Sequence, residues 1–541
     1  MPKLSLKILF LGLIWSHVLT AQQKQIDLQT HIIPVLDEEY WWGGAVNDGR
    51  LMPYNKPFTY NMYGNNKGNQ FQPLLLSNKG RIIWSEEPFK FTVTEKTITI
   101  EPRTTIIQEQ SGNTLKEAYL YASQKFFPAN GKMPATELFT FPQYNTWIEL
   151  MYNQNQKDIL SYAHAIIDNG LPPGVLMIDD NWQEDYGKWR FHPGRFPNPK
   201  AMMAELHKLG FKVMLWVCPF VSPDSDVYRN LAKQGLFLKN PKNESNSSTF
   251  VKPEEPAMIY WWNGVSAVLD FTNPKAQSWF KEELNKLTDE YNVDGFKFDA
   301  GDTYFYPDHL IGHSKTLSPN EHTALFGKIG LDYPFNEYRA MWKMAGLPLA
   351  QRLSDKGHNW NYLNMLIPNI TAQGLMGYAF TCPDLIGGGE FTSFLNTEHI
   401  DQDLIVRSAQ THALMPMMQF SVAPWRILDK EHFEAIKKTV KLREQFKPLI
   451  LELAKKSAKT GEPIVRNMEY VFPNKGYHTI KDQFMLGDTI LVAPFLEKNT
   501  NKRTVVLPKG KWKADNGKIF KGDRSITLTV PLDRLLYFKR L

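Results

Sequence analysis

The alternation of hydrophobic and polar positions changes character twice along the chain. Residues 22–135 consist of short runs in which apolar and polar side chains alternate, such as FKFTV at 89–93 and TITI at 97–100. Turn residues separate these runs, and a helical stretch over about 114–126 ends the segment. Period-two alternation in short runs is typical of strands with one buried face, so the pattern predicts an N-terminal β-sandwich.

Residues 136–455 instead alternate short apolar runs, such as 175–178 and 211–217, with amphipathic helical stretches. Repeated βα units over about 300 residues favour an α/β fold with a parallel sheet, and a (β/α)8 TIM barrel has this length. A doubly wound sheet is the alternative, but the glycine run at 387–389 lacks the Lys and Ser/Thr of a phosphate-binding loop. Residues 456–541 return to strands, which predicts a C-terminal β-domain.

The first 21 residues follow the three-part pattern of a secretory signal peptide. Lys3 and Lys7 precede an apolar run at 8–15, and the small residue Ala21 stands before Gln22. The apolar run is too short to span a bilayer, so a retained membrane anchor is the less favoured alternative. We therefore expect an exported protein, periplasmic or secreted, without stable membrane insertion.

Composition argues against several classes of function. The net charge of +6 is spread over 541 residues without a long basic run, which argues against nucleic-acid binding. Two cysteines, Cys218 and Cys382, are too few for a disulfide scaffold. Cysteine and histidine never cluster at metal-ligand spacing, so we expect no metal and no cofactor.

Several predicted barrel strands end in acidic, basic or aromatic residues. TIM-barrel enzymes carry their catalytic residues at the carboxyl ends of strands, where side chains face a cleft. A single acid there can be a helix cap, but five such strand ends together indicate a functional site. The residues at these ends are Asp179, Asp180, Trp216, Asp299, Arg352, Asp355 and Asp384.

The segment GFKFDAGD at 295–302 carries one of these acids beside a base. Side chains two positions apart on a strand share a face, so Lys297 and Asp299 are expected side by side, with the cation keeping the carboxylate ionised. An ionised carboxylate, a second carboxyl that can hold a proton, and tryptophan-rich walls suit glycoside hydrolysis.

The chain resembles glycoside hydrolase family 31, more narrowly the branch with α-galactosidase-type members and the animal myogenesis-regulating glycosidase. The similarity covers essentially the whole chain after the predicted signal peptide, and its motifs occur in order. They include MIDDNWQEDYGKWRFHPGRFPNP (177–199), LHKLGFKVMLWVCPFV (206–221), GFKFDAGD (295–302), QRLSDKGHNW (351–360) and GYAFTCPDLIGGG (377–389).

This resemblance implies a retaining double displacement on an α-linked oligosaccharide or glycoside. Asp299 occupies the position of the nucleophile and Asp355 that of the acid/base, which places their carboxyls about 5–5.5 Å apart. The resemblance also implies that a set of further residues binds the substrate. They are Asp179, Asp180, Trp216, Trp262, Lys297, Arg352 and Asp384.

Three of the implied details concern single positions. Trp262 lies where this branch discriminates a sugar 4-hydroxyl, which favours galactose, although a packing residue at the barrel rim is the alternative. Asp384 is expected to line the same pocket, and Asp302 has either a structural or a catalytic role. The N-terminal WWGG at 41–44 resembles a loop that reaches toward the pocket.

The sequence departs from the α-glucosidase pattern of the family at KFDAGD (297–302) and LSD (353–355). These differences weaken the inference of glucose specificity and leave the mechanism intact. We therefore expect an α-galactosidase, with an α-glucosidase, an α-xylosidase or a transglycosylase of the same family as alternatives. A noncatalytic carbohydrate-binding protein and a metal-dependent hydrolase are more distant alternatives.

Overall fold

The computed structural model describes residues 28–241, 254–395 and 399–541. The predicted signal peptide at 1–21 lies outside the described residues. Within the described ranges, no helix combines the length and the hydropathy that crossing a membrane would need.

Eight parallel strands form the central barrel, which confirms the predicted α/β TIM-barrel class. The strands are β1 Gln143–Asn145, β2 Val175–Ile178, β3 Lys212–Val217, β4 Gly295–Phe298, β5 Phe335–Tyr338, β6 Gln351–Arg352, β7 Thr381–Cys382 and β8 Gln419–Phe420. They pair in the order β7-β6-β5-β4-β3-β2-β1-β8, and a parallel bridge between Leu385 and Gln419 nearly closes the ring. Strands of such sheets are buried on both faces, which explains why β2 and β3 contain the continuous apolar runs VLMI and VMLWV.

Eight helices of eight or more residues follow these strands or connect them. Each begins after an Asn, Ser or Asp whose side chain accepts a backbone N–H of the first turn, which satisfies a donor that the helix leaves free. The last helix ends at Gly461, whose φ of 74° is the left-handed conformation of a C-cap. The helices are Gln156–Asp168, Pro199–Lys208, Asp226–Lys233, Pro274–Tyr291, Pro319–Ile329, Trp360–Leu375, Gln402–Ala413 and Lys430–Thr460.

The N-terminal part forms two sheets, followed by the helix Leu115–Phe126. The strand Met341–Trp342, from the loop after β5, pairs in parallel with Gln70–Ser77 and so joins this part to the barrel. One sheet contains His31–Pro34, Thr97–Glu101, Lys90–Val93 and Phe58–Asn61, and the other Trp41–Ala45, Gln70–Ser77, Arg81–Ser85 and Ile106–Gln110.

The C-terminal part is a six-stranded antiparallel sheet with a separate two-stranded ribbon, around a second core that includes Trp512 and Phe538. The sheet contains Val465–Arg466, Phe484–Leu486, Ile490–Ala493, Leu536–Arg540, Lys511–Ala514 and Ile519–Lys521, and the ribbon Lys502–Leu507 and Arg524–Thr529. The predicted limits at 135 and 455 stay predictions, and the second falls within the helix Lys430–Thr460.

Short sheets and helical turns complete the structure, and several of them lie at the carboxyl end of the barrel. The hairpin that follows β3 matters most for the site, because its tip carries Trp262 and Asn263. The small strands are Gln183–Asp185 with Lys188–Phe191, Phe220–Val221 with Met258–Trp261 and Gly264–Val268, and Leu310–Ile311 with Thr316–Leu317. The short α-helices are Glu137–Thr140, Trp147–Leu150, Pro424–Ile427 and Met468–Val471.

Candidate active site

A cavity of about 450 Å³ lies at the carboxyl ends of the barrel strands. This volume is within the usual range for small-molecule sites. Seven of the nine predicted site residues line it, including both carboxylates that the resemblance placed at the centre of the chemistry. The lining residues are Gly68, Trp147, Tyr152, Asp179, Asp180, Trp216, Trp262, Lys297, Asp299, Tyr304, Arg339, Ser354, Asp355, Glu390 and Phe391.

Asp299 follows β4 and is held by three donors. The Trp216 indole N–H donates to Oδ2 at 3.1 Å, whereas Oδ1 accepts from the Ala300 backbone N–H at 2.9 Å and from Arg339 Nε at 3.1 Å. Ala300 has a φ of 59°, a left-handed conformation that is uncommon for a non-glycine residue. These three donors hold the Asp299 carboxylate in a fixed position in the cavity lining.

Burial by itself would raise the pKa of the Asp299 carboxyl. The charges of Arg339, Lys297 and Arg352 outweigh burial and, with the Ala300 N–H, hold the pKa well below its usual value. Asp299 is therefore ionised at neutral pH, which is the state in which a carboxylate acts as a nucleophile.

The ion-pair partner of Lys297 is not the one that the sequence predicted. Its Nζ donates to Asp179 Oδ2 at 2.6 Å, and the two side chains are only 6% and 3% exposed. Lys297 and Asp299 both line the cavity as their spacing predicts, but the direct ion pair of Asp299 is with Arg339. The charge of Lys297 helps to lower the pKa of Asp299, as predicted, but its hydrogen-bonded partner is Asp179, which follows β2, two strands away from β4 in the sheet.

Arg339 is the main residue that the sequence analysis missed. It follows β5, and its guanidinium bridges Asp299 and the fully buried Asp302. Asp302 also accepts from Asn66 Nδ2 at 2.8 Å. Of its two expected roles, the structure places Asp302 in the structural one, beneath Arg339 and outside the cavity lining. The available signal was the position of Arg339 directly after a strand end.

Asp355 lies at the cavity rim with its side chain 40% exposed. Arg352 Nη1 donates to Asp355 Oδ1 at 2.6 Å and to Asp384 Oδ1 at 2.8 Å. Arg352 and Asp384 are each 1% exposed and lie behind Asp355 rather than in the cavity lining. The expectation that Asp384 lines the pocket is therefore corrected, because the backbone of the following loop covers it.

That backbone belongs to the glycine run at 387–389. Asp384 Oδ2 accepts from the N–H groups of Lys356 at 2.7 Å and Gly389 at 3.1 Å. A Cβ on Gly389 would lie 2.7 Å from Asp384 Oδ1 and 2.9 Å from Asp355 Oδ1. Burial raises the pKa of Asp384 to about 7 against the lowering effect of Arg352. The glycine run thus allows the chain to pass between two carboxyls.

The opposite side of the cavity carries the acidic pair after β2. Asp180 accepts from Asn263 Nδ2 at 2.6 Å and from the Tyr186 hydroxyl at 3.3 Å. Burial, together with the charge of Asp179, raises the pKa of Asp180 to about 7. Trp262, the neighbour of Asn263, is 45% exposed, and the guanidinium carbon of Arg339 lies 5.3 Å from its ring centre.

The N-terminal part reaches the cavity through residues 66–69 and not through WWGG. Trp41 and Trp42 are 1% and 3% exposed within a strand, so the prediction for 41–44 is wrong. Two tryptophans followed by two glycines without any charged residue fit a buried strand equally well. Gly68, in contrast, lines the cavity, and its carbonyl accepts from Arg339 Nη1 at 3.1 Å.

An aromatic wall closes the cavity beside Asp180, and no sequence signal identified it. Trp147 and Tyr152, which follow β1, pack edge-to-face with ring centres 5.2 Å apart. Phe391, which follows the glycine run, lies 5.5 Å from Trp147. Across residues 28–241, 254–395 and 399–541, no group of three or more His, Cys, Asp or Glu is arranged to hold a metal ion.

Two family models match the chain. The family 31 glycosyl hydrolase TIM-barrel domain matches residues 133–453, and the family 31 C-terminal domain matches residues 461–540. The myogenesis-regulating glycosidase of Mus musculus is 34% identical over 79% of this chain and 60% of that protein. Alpha-glucosidase 2 of Bacillus thermoamyloliquefaciens is 26% identical over 71% of this chain and 50% of that protein. The chain thus spans about half to three-fifths of the length of these relatives.

Solved structures share the fold at lower sequence identity. A family 31 dextranase of Flavobacterium johnsoniae, complexed with glucose, superposes with a TM-score of 0.82 over 94% of this chain and 66% of that chain, at 20% identity. An alpha-xylosidase from a soil metagenome, complexed with xylose, gives a TM-score of 0.80 over 94% of this chain and 79% of that chain, at 19% identity.

Proposed function

The chain belongs to glycoside hydrolase family 31, and we propose that it is a retaining α-glycosidase that acts on α-linked galactosides. Asp299 is the proposed nucleophile and Asp355 the proposed acid/base. One observation carries the proposal: a buried carboxylate kept ionised by three cations faces a cavity that has a second, exposed carboxyl on its rim. Two carboxyls of unlike environment are what this chemistry requires.

In the first step, Asp299 attacks the anomeric carbon while Asp355 donates its proton to the leaving oxygen as the glycosidic bond breaks. Oδ2 is the attacking atom, because Oδ1 already accepts two hydrogen bonds and Oδ2 accepts one. In the second step, water attacks the same carbon and gives a proton to Asp355. The Asp299–sugar bond breaks, and the charge of Arg339 stabilises the departing carboxylate.

Asp355 can change its charge without leaving a buried ion unpaired. Arg352 holds Asp355 and Asp384 through one nitrogen, and its Nε lies 3.3 Å from Glu337 Oε1. When Asp355 carries a proton, the guanidinium keeps Asp384 and Glu337 as partners. An unpaired buried guanidinium would cost several kcal/mol, so this sharing keeps proton transfer by Asp355 reversible.

The remaining lining groups suit a sugar ring. Asp179, Asp180 and Lys297 offer acceptors and donors for hydroxyls, and Trp216 adds an aromatic ring to the same lining. Trp262 lines the cavity, and the resemblance places the discrimination of a sugar 4-hydroxyl at this residue, which supports galactose. The curated relatives include an alpha-glucosidase and an alpha-xylosidase, so those sugars, and transfer to a second sugar in place of water, are the alternatives.

Initial rates on p-nitrophenyl α-galactoside, α-glucoside and α-xyloside test the proposal, with NMR of the first-formed anomer. We expect the α-galactoside to be preferred, the α-anomer to appear first, and Asp299→Ala to lose nearly all turnover. Asp289→Asn, on the exposed side of a helix, is the matched control and should keep wild-type rates. A β-anomer or an active Asp299→Ala would refute the mechanism. Preference for another sugar would refute galactose, and binding without turnover would favour a carbohydrate-binding protein.

A further inference from the structure

The hydroxyl of Ser354 is held from two sides next to the proposed acid/base. Ser354 lines the cavity directly before Asp355 in the chain. Its Oγ accepts from Asn69 Nδ2 at 2.9 Å and from Lys356 Nζ at 3.1 Å. Among the described residues, none accepts the hydrogen of the Ser354 hydroxyl.

Both of these contacts must be donors to Ser354. An ammonium has N–H groups only. The orientation of the Asn69 amide is set by the backbone, because its Oδ1 accepts the Ser354 N–H at 2.8 Å and its Nδ2 must then face Oγ. A serine hydroxyl has two acceptor positions and one O–H. With both acceptor positions filled, the O–H is left for the cavity.

The arrangement also strengthens Ser354 as a donor. Lys356 is only 4% exposed, so its charge acts on the hydroxyl with little screening by water. Donation by a cation draws electron density from Oγ and makes the O–H more acidic. Ser354 is therefore a directed and polarised donor whose partner is not part of the described protein.

The partner lies on the leaving-group side of the scissile bond. The acidic pair and Lys297, which suit the hydroxyls of the cleaved sugar, come from β2 and β4. Ser354 comes from the end of β6, beside the residue that would protonate the leaving oxygen. A group that contacts both Asp355 and Ser354 thus contains the leaving oxygen and a second acceptor oxygen.

We propose that Ser354 binds substrate by donating to an oxygen of the leaving group, and that the leaving group is a hydroxylated residue such as a second sugar. Asn69 and Lys356 are positioning residues that orient the hydroxyl. This inference rests on the proposed function, since the leaving-group side is defined by Asp355 as the acid.

The test compares an α-linked disaccharide with the α-glycosyl fluoride of the same sugar, whose leaving group is a fluoride ion and has no oxygen for Ser354 to contact. We use the sugar that the wild-type chain prefers and the disaccharide with glucose that it cleaves fastest. Ser354→Ala should lower kcat/KM on the disaccharide by about tenfold, the effect of one lost hydrogen bond, and should lower it much less on the fluoride. Ser354→Thr, which keeps the hydroxyl, should recover most of the loss.

Asn69→Asp provides a variant of nearly the same size that turns the hydroxyl. A carboxylate still accepts the Ser354 N–H, but its second oxygen accepts the Ser354 hydrogen and draws it away from the cavity. It should therefore reproduce the substrate-dependent loss of Ser354→Ala. Ser161→Ala, a surface hydroxyl that bonds the Lys157 carbonyl, is the control and should change neither rate.

The outcomes separate this inference from the proposed function. A wild-type chain that does not hydrolyse the fluoride refutes the function. If it hydrolyses the fluoride but no disaccharide, or if Ser354→Ala loses the same factor on both substrates, the Ser354 inference is refuted and the function stands. A loss confined to the disaccharide in both Ser354→Ala and Asn69→Asp supports the inference.

Discussion

Gly389→Ala should impair the proposed acid without touching the nucleophile. The new Cβ would lie 2.7 Å from Asp384 Oδ1 and 2.9 Å from Asp355 Oδ1, well inside the roughly 3.5 Å of a favourable heavy-atom contact. One of the two carboxyls must therefore move by about 0.5–1 Å. The contacts of each carboxyl decide which one moves.

Asp384 is anchored by Arg352, by the Lys356 N–H and by the Gly389 N–H, and it is buried. Asp355 has a hydrogen bond from Arg352 and a 40% exposed side chain. Asp355 should give way. A displacement of about 1 Å at a reacting group costs roughly 10²-fold in rate. The loss should appear on substrates whose leaving group needs protonation.

The assay is kcat/KM for the best-cleaved disaccharide and for the α-glycosyl fluoride, whose leaving group needs little help from an acid. We expect Gly389→Ala to lose about 10²-fold on the disaccharide and less than tenfold on the fluoride. A thermal melt close to that of the wild type would show that the fold is intact. Equal losses on the two substrates, or no loss on either, would refute the reasoning about Asp355.

Two further predictions concern charge and pH. The buried ring of His412 has no partner for either nitrogen among the described residues, and burial lowers its pKa from 6.5 to about 3. As the pH falls, the unfolded chain protonates His412 before the folded chain does. The share of the free energy of unfolding that depends on a neutral His412 is therefore fully present above pH 6.5 and is lost as the pH falls toward 3. It amounts to about 2 kcal/mol between neutral pH and about pH 5. Urea unfolding at several pH values should therefore show that the free energy of unfolding falls less steeply below pH 6.5 in His412→Leu than in the wild type. An equally steep fall in both proteins would contradict this. Arg339→Met combined with Asp302→Asn, which removes the buried charge of Asp302 together with its guanidinium partner, should move the acid limb of kcat/KM to higher pH, because the guanidinium that lowers the pKa of Asp299 is gone. A limb that does not move would exclude Arg339 as the cause.

The arrangement at Arg352 links these predictions to the proposed reaction. One nitrogen of this side chain contacts both Asp355 and Asp384, and the glycine run packs against the same two carboxyls. The proposed acid/base is thus positioned by a buried network, while the proposed nucleophile is positioned by separate donors from Trp216, Ala300 and Arg339. We therefore expect substitutions at the two carboxyls to affect the rate on the fluoride and the rate on the disaccharide differently.

The sequence by itself determined the barrel and the strand ends at which the candidate site residues lie. Alternating apolar runs and amphipathic helices are local features, since burial selects side chains residue by residue along each element. The position of an acid directly after a buried strand is equally local. That is why Asp179, Asp180, Asp299 and Asp355 could be placed at one face before any contact was known.

Only the tertiary structure decided which charges pair and which loops complete the cavity. Lys297 pairs with Asp179 across 118 positions in the chain, and Arg339 pairs with Asp299 across 40. Such pairs depend on strand register and side-chain direction. Alternative registers that fit the same sequence pattern would place the charged atoms a few ångströms apart from these positions. The same holds for the contact of Asn69 with Ser354, 285 positions away. Ion-pair energies fall steeply with distance and burial, so the partners follow from geometry that no local pattern contains.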